Sequence, residues 1–392
     1  MDRCDVLVVG GGLVGCAAAW HLARSGAAVI LVDAGDLGLG ASGQNAGSLH
    51  FQIERRFLEQ GEALAKQAEQ TIALSRMAID DWRVLETELD ANLHVVMDGG
   101  FMVAETPDEV ALLEHKVMRE QRAGLRMELL DGDAARARAP YLSPTIMAAG
   151  FAPDEGHADS RAVTPAFAAA AARAGASLRP RTSVAAITRL PGGFDVSGPG
   201  LHVRAGQILA ATGAWTARLC ALANLHVPLF PVALLMSATE RTRAVQIPHL
   251  VQHVGRRLSL KQTFAGNLLI GGGWPSRLRR LGDGGFDPGA RPEMIPESLA
   301  GNMRAAVDTV PSIAGLNLIR SWTGVTAVSA DQLPVVGEVP RLPGFWIAGG
   351  GSAFTLGPTF ARLIARAMRG DAVPELAFVS PARFDHLNSF MG

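Results

Sequence analysis

"DVLVVGGGLVGCAAAWHLARSGAAVILVDAG", residues 5–35, decides the fold. Val6 to Val9 form a continuous apolar run, the pattern of a parallel strand buried on both faces. Gly10, Gly12 and Gly15 follow with GxGxxG spacing: one glycine for the tight turn, one for close backbone approach to a pyrophosphate, one for helix–strand packing. Leu13 to Arg24 reads as a helix, with Leu13 and Val14 in its first turn and Ser25-Gly26 as its stop. "AAVILVD" is a second strand, ending at Asp33, 23 residues after Gly10, with Ala34 beside it. The helix N-terminus suits phosphate, and the Asp33 carboxylate suits ribose hydroxyls. The unit predicts a Rossmann-like dinucleotide-binding domain. By itself it does not separate NAD from FAD.

Four further stretches separate them. "GASGQNAGSLHFQIE" (40–54) is small, polar and glycine-punctuated, with His50 among apolar neighbours. Small residues such as Ser42, Gly43, Asn45, Ala46 and Gly47 let main chain lie against a planar cofactor and donate N–H groups to it. "TSVAAITRL" (182–190) alternates like a strand and contains Val184. "QILAATGAWTARL" (207–219) reads as a strand ending near Thr212, Gly213 and Trp215. "GFWIAGGGSAFTLGPTFARLIARAM" (344–368) is a strand, a glycine loop with Gly350 and Gly351, then Phe354, Thr355 and Leu356 leading into a helix opened by Pro358. Before it, "SWTGVTAVSADQLPVVGEVP" (321–340) spaces Trp322, Gly324, Asp331, Pro334 and Gly337.

These pieces, in this order across the whole chain, resemble the D-amino-acid-oxidase-like flavoproteins of the glycine oxidase and sarcosine oxidase type. The resemblance implies non-covalently bound FAD. It runs the 41–48 segment along the pyrophosphate onto the flavin, sets Val184 against the adenine, and brings the 207–215 strand back beside the nucleotide. The helix after Leu356 would stabilise negative charge on the flavin's N1–C2 edge. A glutathione-reductase-like alternative would need a second nucleotide fingerprint; "LIGGGWPS" (269–276) does not open a helix.

Composition narrows the rest. The 392 residues are 48% apolar and 19% charged with a formal net charge of −1, a core-rich folded chain with no bias towards nucleic acid or anionic membrane. The 36 basic residues include three lysines, Lys66, Lys116 and Lys261. Cys4, Cys16 and Cys220 form no CxxC and read as small buried residues in a reducing compartment, not as metal or cluster ligands. No secretory signal and no run approaching the ~20 apolar residues of a membrane span is visible. The expected location is the cytoplasm.

The expected fold class is α/β. An FAD-binding domain (1–90, 151–221, 319–392) is interleaved with an α+β substrate domain on an antiparallel sheet (91–150, 222–318). The first insertion should begin strand–turn–strand, and the second should hold a hairpin of Leu258 to Thr263 with Asn267 to Gly271. A long amphipathic helix is expected at about 57–90.

The chain departs from the family at the substrate. Relatives hold a carboxylate with an arginine where this chain has Thr326, and with a tyrosine where it has Ser259; Tyr141, its one tyrosine, lies elsewhere. An oxygen-promoting lysine is replaced by Leu269. The wording resembles catalytic β-subunits of opine and hydroxyproline dehydrogenase type, which work with partner subunits. The resemblance therefore implies oxidation of an amino acid or secondary amine at the carbon beside nitrogen. Electrons would leave to a partner or quinone. Alternatives are a glycine- or sarcosine-type oxidase, a 2-hydroxy-acid oxidoreductase, and a non-catalytic FAD-carrying relay subunit. His50 is a candidate for tuning amine protonation or lining the flavin. Lys261 shares a strand face with Ser259, which makes it the candidate to meet a substrate carboxylate in place of the missing arginine.

Overall fold

A computed structural model describes residues 1–58, 61–282, 285–287 and 289–391. The apolar run after the N-terminus forms the strand Asp2–Val9, at the centre of a largely parallel sheet. The sheet order is Val335–Glu338, Phe345–Gly349, Leu201–Ala210, Asp2–Val9, Val29–Val32, Ser177–Arg179. An antiparallel hairpin, Ala186–Leu190 with Gly193–Gly198, pairs onto Leu201–Ala210. The helix Leu13–Arg24 packs between the helices Ser160–Arg173 and Gly357–Met368. Gly15 sets that packing: a methyl group there would come within 1.9 Å of the Gly10 carbonyl oxygen.

A second sheet runs Leu318–Ser329, Leu229–Arg241, Asn267–Gly271, Ser259–Gln262, Leu250–His253, Gly100–Ala104, Ala148–Ala152, Glu128–Asp131. Its pairings are antiparallel except one. Leu250–His253 runs parallel to Gly100–Ala104, because these neighbours come from two distant stretches of chain and no hairpin joins them. The hairpin expected from sequence forms, trimmed to Ser259–Gln262 and Asn267–Gly271.

Three local expectations change. The long helix becomes Arg55–Leu58, Glu62–Glu69 and Ile72–Leu89. Gly61 interrupts it at φ +91°, outside helical geometry; residues 59 and 60 of that stretch lie outside the described residues. The strand expected at 182–190 begins only at Ala186, because the Thr182 N–H donates to the Asp33 carbonyl and not to a neighbouring strand. The first insertion has no strand before Gly100; Val96 makes an isolated bridge to His157.

Among the described residues no helix is long and apolar enough to cross a membrane. Cys16 and Cys220 are buried free thiols, and burial pushes both up to about 12. Gly15→Ala should force the first helix off its strand, at a cost of ~1–3 kcal/mol or more, lowering the Tm by roughly 5 °C. Gly315→Ala, with no atom nearby to meet the new methyl, should leave the Tm close to wild type in the same calorimetric scan.

Candidate active site

The phosphate end is built first, at the turn between Val9 and Leu13. Gly10 has φ +112°, and a side chain there would meet the Ala211 carbonyl at 2.4 Å. The Leu13 N–H, at the open end of the first helix, donates to Ser42 Oγ at 2.9 Å. An oxygen acceptor therefore already sits at the helix N-terminus, supplied by the small-residue segment. The Asp33 carboxylate accepts from the Gly11 N–H (2.6 Å) and the Gly35 N–H (2.7 Å), which fixes it beside the same turn with Ala34 exposed. The Thr182 N–H donates to the Asp33 carbonyl at 2.7 Å and the Ala185 N–H to Ser197, so Val184 is carried to this end of the sheet. Thr212, Gly213 and Trp215 form the turn that follows Leu201–Ala210, with Trp215 N–H donating to Thr212 O.

The segment then crosses towards the second sheet. Ala41–Gln44 is one short helical turn, after which Asn45 Oδ1 accepts from the Gly47 N–H at 2.6 Å and Asn45 Nδ2 donates to Ala41 O and Ser42 O. Ala46 lies within this turn. The second sheet presses on it from one side: Trp322 Nε1 donates to Gln44 O at 2.8 Å, and a methyl on Gly324 would come within 2.8 Å of Gln44 Oε1. Thr326 lies two residues further on the same face.

The glycine loop closes the other side. Gly350 and Gly351 lead from Phe345–Gly349 to Phe354, Thr355 and Leu356, and Pro358 stands in the first turn of the following helix. Thr355 Oγ1 accepts from the His50 N–H and donates to Ser48 O, both at 3.3 Å, while Thr355 O accepts from Trp82 Nε1 at 2.7 Å. Phe354 packs on the Trp82 ring. Segments about three hundred residues apart are thereby joined.

Beyond this junction His50 Nε2 lies 3.2 Å from Ser259 Oγ. Lys261, on the same strand face, is buried, and its amine donates to the Ala158 carbonyl at 3.0 Å. A methyl on Gly47 would come within 3.1 Å of that amine. Lys261 also pairs with Leu269 across the sheet, so the two project to one face. Burial pulls the Lys261 amine down to about 7 against the opposing pull of Asp159. Burial and Lys261 together hold His157 at about 3.

Several residues here carried no sequence signal. Glu155, fully buried, accepts from the N–H groups of Phe51 and Gln52 and from the amides of Gln52 and Gln252. Glu120 accepts from the Ile53 N–H at 2.6 Å and pairs with the buried Lys116 at 2.7 Å; Lys116 also reaches Gln52 Oε1. Burial pushes the Glu120 carboxyl up, and Lys116 pulls it back. Burial also pushes Glu54 up, but Arg56, His50 and the Ser352 hydroxyl outweigh it and hold the carboxyl at about 2. Glu54, Arg56, His50 and Ser352 line a cavity of about 20 Å³, room for one water.

The residues fit FAD. Ser48 Oγ and His50 Nδ1 are buried without a hydrogen-bond partner among the described residues, and both lie on the crossing segment. A flat ligand with a polar edge would satisfy them. A family model described as FAD dependent oxidoreductase (DAO) matches residues 5–367. The chain belongs to that family. It is an FAD-dependent oxidoreductase of the DAO type. It is 27% identical to an opine oxidase subunit from Agrobacterium tumefaciens (strain Ach5) over 393 residues, covering 98% of both chains. The crystal structure of glycine oxidase from Geobacillus kaustophilus matches with a TM-score of 0.86 and 26% identity, covering 98% of this chain and 99% of that one. L-Proline dehydrogenase from P. horikoshii shares the fold, with a TM-score of 0.85, 22% identity and 98% of each chain covered.

The Lys116–Glu120 pair tests how the DAO chain holds its crossing segment. Lys116→Met leaves a buried carboxylate without its cation and should cost ~3–5 kcal/mol in urea unfolding of the apoprotein. Lys116→Met with Glu120→Gln should recover at least half of that loss.

Proposed function

We propose that this chain oxidises the C–N bond of a secondary amine or amino acid and delivers the electrons to a partner subunit or quinone. The observation that carries the reading is the meeting of His50 on the crossing segment with Ser259 and Lys261 on the strand Ser259–Gln262. A cation, an imidazole and a hydroxyl fit a substrate with one carboxylate and one amine. The idea of a partner is supported by the Agrobacterium relative, which is itself named as one subunit of an opine oxidase. The cofactor residues proposed are Gly10, Gly12, Leu13, Val14, Gly15, Asp33 and Ala34 for the nucleotide, with Val184, Thr212, Gly213 and Trp215 beside it. Ser42, Gly43, Asn45, Ala46 and Gly47, with Gly350, Gly351, Phe354, Thr355 and Leu356, flank the flavin. The interleaved two-domain division keeps these residues on one domain and the anion-binding strand on the other.

Bound FAD would supply a two-electron acceptor for the hydride. Lys261 has three donors and spends one on Ala158, so two remain for a substrate carboxylate. The substrate must offer its nitrogen lone pair uncharged to assist C–H cleavage, and His50 lines the face beside that nitrogen. Its neighbour Ser259 holds the ring in place by hydrogen bonding at Nε2. Orientation of the C–H bond by these contacts is the protein's chief contribution. The imine leaves and hydrolyses in water.

Purified protein should be yellow and release intact FAD on acid precipitation. Anaerobic addition of opines, D-amino acids and proline analogues should bleach the flavin with at least one secondary amine. The reduced protein should reoxidise faster with a dye than in air. Bleaching by none of the panel would reject amine oxidation and leave the relay role.

The pH dependence is specific. Lys261 is protonated below about 7 and neutral above it, so a simple carboxylate binds well at low pH and loses its cation as pH rises. The Kd of acetate, read from flavin absorbance, should rise about tenfold per pH unit above 7. Lys261→Met should flatten that slope and weaken binding at pH 6 by roughly tenfold to a hundredfold.

A further inference from the structure

The two faces of the second sheet are not equally covered. Leu260, Leu268 and Ile270 point to one face and pack with Ala305 and Ala306 of the helix Pro296–Thr309. Along Leu229–Arg241 the burial alternates, with Ala233, Leu235 and Ser237 buried but Val232, Leu234 and Met236 only half-buried. Leu318–Ser329 alternates in step: Thr323, Val325 and Ala327 are buried, while Trp322, Gly324 and Thr326 are half-buried. The half-open face is the one that meets the crossing segment, at Trp322 with Gln44 and at Ser259 with His50.

Strand register sets what lies between those two contacts. Lys261 pairs with Leu269, Leu269 with Ala238, and Ala238 with Arg320. Ser259 pairs with Gly271, and Met236 with Trp322. Directly opposed residues project to one face, so two rows cross the sheet side by side. A methyl on Gly271 would meet Met236 Sδ at 2.7 Å, so the thioether lies across Gly271 and completes the second row. From the strand of Lys261 to that of Ala238 is two inter-strand spacings, about 10 Å. Over that length the floor is Leu269, Ala238, Gly271 and Met236, with no side-chain hydrogen-bonding group stronger than a thioether.

The two ends of this trough differ. The Lys261 end is buried and carries the ammonium, with Ser259 and His50 beside it. The far end is closed by Trp322, whose indole is tied to the Gln44 carbonyl at 2.8 Å and backed by the Arg320 guanidinium 5.4 Å from the ring. An apolar floor that starts at a cation fits a carboxylate followed by hydrocarbon. Met236 is unbranched and flexible, so the floor adapts to chain length.

We propose that this trough receives the aliphatic side chain of the substrate, with Leu269, Ala238 and Met236 as specificity-determining residues and Lys261 holding the carboxylate. The proposal rests on the amine-oxidising reading above, and it narrows the substrate to amino acids with an unbranched apolar side chain of several carbons.

Binding and turnover test it separately. In titration calorimetry on the holoenzyme at pH 6, the Kd should fall about threefold to fourfold for each methylene added from acetate through butyrate to hexanoate. Leu269→Asn with Met236→Gln should remove that gradient while FAD content, read by absorbance, stays at wild type. Ala238→Leu narrows the trough without adding polarity, and should weaken hexanoate more than acetate. Equal Kd values for acetate and hexanoate, or a gradient untouched by all three substitutions, overturn the trough. In dye-linked assays 2-aminohexanoate should show a higher kcat/KM than alanine, and the double variant should shrink the ratio of the two. Alanine turned over as well as 2-aminohexanoate by wild-type protein overturns the specificity even where the binding gradient stands. A binding gradient with no amine able to bleach the flavin keeps the trough and rejects the oxidation.

Discussion

Three consecutive backbone N–H groups, at Phe51, Gln52 and Ile53, end on two buried carboxylates, Glu155 and Glu120. Carboxylates out of water are costly unless every lone pair is answered, and here they are answered. Glu155 takes two backbone and two side-chain donors, and Glu120 takes one backbone donor and an ammonium. The donors come from the crossing segment, from the strand Leu250–His253 and from the helix Pro107–Arg122. The clamp therefore ties the segment to two other elements at once. His50 is the residue immediately before it, so the orientation of its ring is inherited from a polar knot that itself touches no ligand.

The parallel sheet needs a different constraint. Its centre is backbone against backbone, with Gly15 over Gly10 and Gly10 over Ala211. Small residues there bring the open N-terminus of the first helix up to the chain turn. The second sheet then needs Trp322 and Gly324 to reach Gln44. Between these contacts the polar segment 41–50 is bounded on both sides by elements of fixed geometry, which is what holding a planar cofactor in one orientation requires.

Much of this was legible in the chain itself. The fold of the first 35 residues follows from an apolar run, three spaced glycines and a terminal acid, all local signals. The hairpin at Ser259 and the helix opened by Pro358 were legible for the same reason, since turn chemistry and patterning act over a few residues. The clamp was not. Lys116 and Glu120 sit four apart on a charged helix and look like an ordinary solvated pair; that their face is buried depends on the crossing segment packing over it. The break at Gly61 was missed because amphipathic spacing continues on both sides of it. Lys261 lay on the expected face beside Ser259, but its burial against Ala158 depends on a segment a hundred residues earlier.

The order of strands in the parallel sheet has a consequence for how the molecule comes to exist. The strand Asp2–Val9 pairs with Leu201–Ala210, which in turn pairs with Phe345–Gly349. Phe345–Gly349 and the glycine loop after it are thus synthesised only after both stretches that build the second sheet. Long-range pairing of this kind closes large loops before any contact rewards the closure, so folding is slow and late. The glycine turn and its helix form early by local rules, and wait as an exposed apolar fragment for partners some two hundred and more residues downstream. A cofactor that needs both the early glycine turn and the late 345–357 stretch acts by trapping the finished chain and not by guiding it.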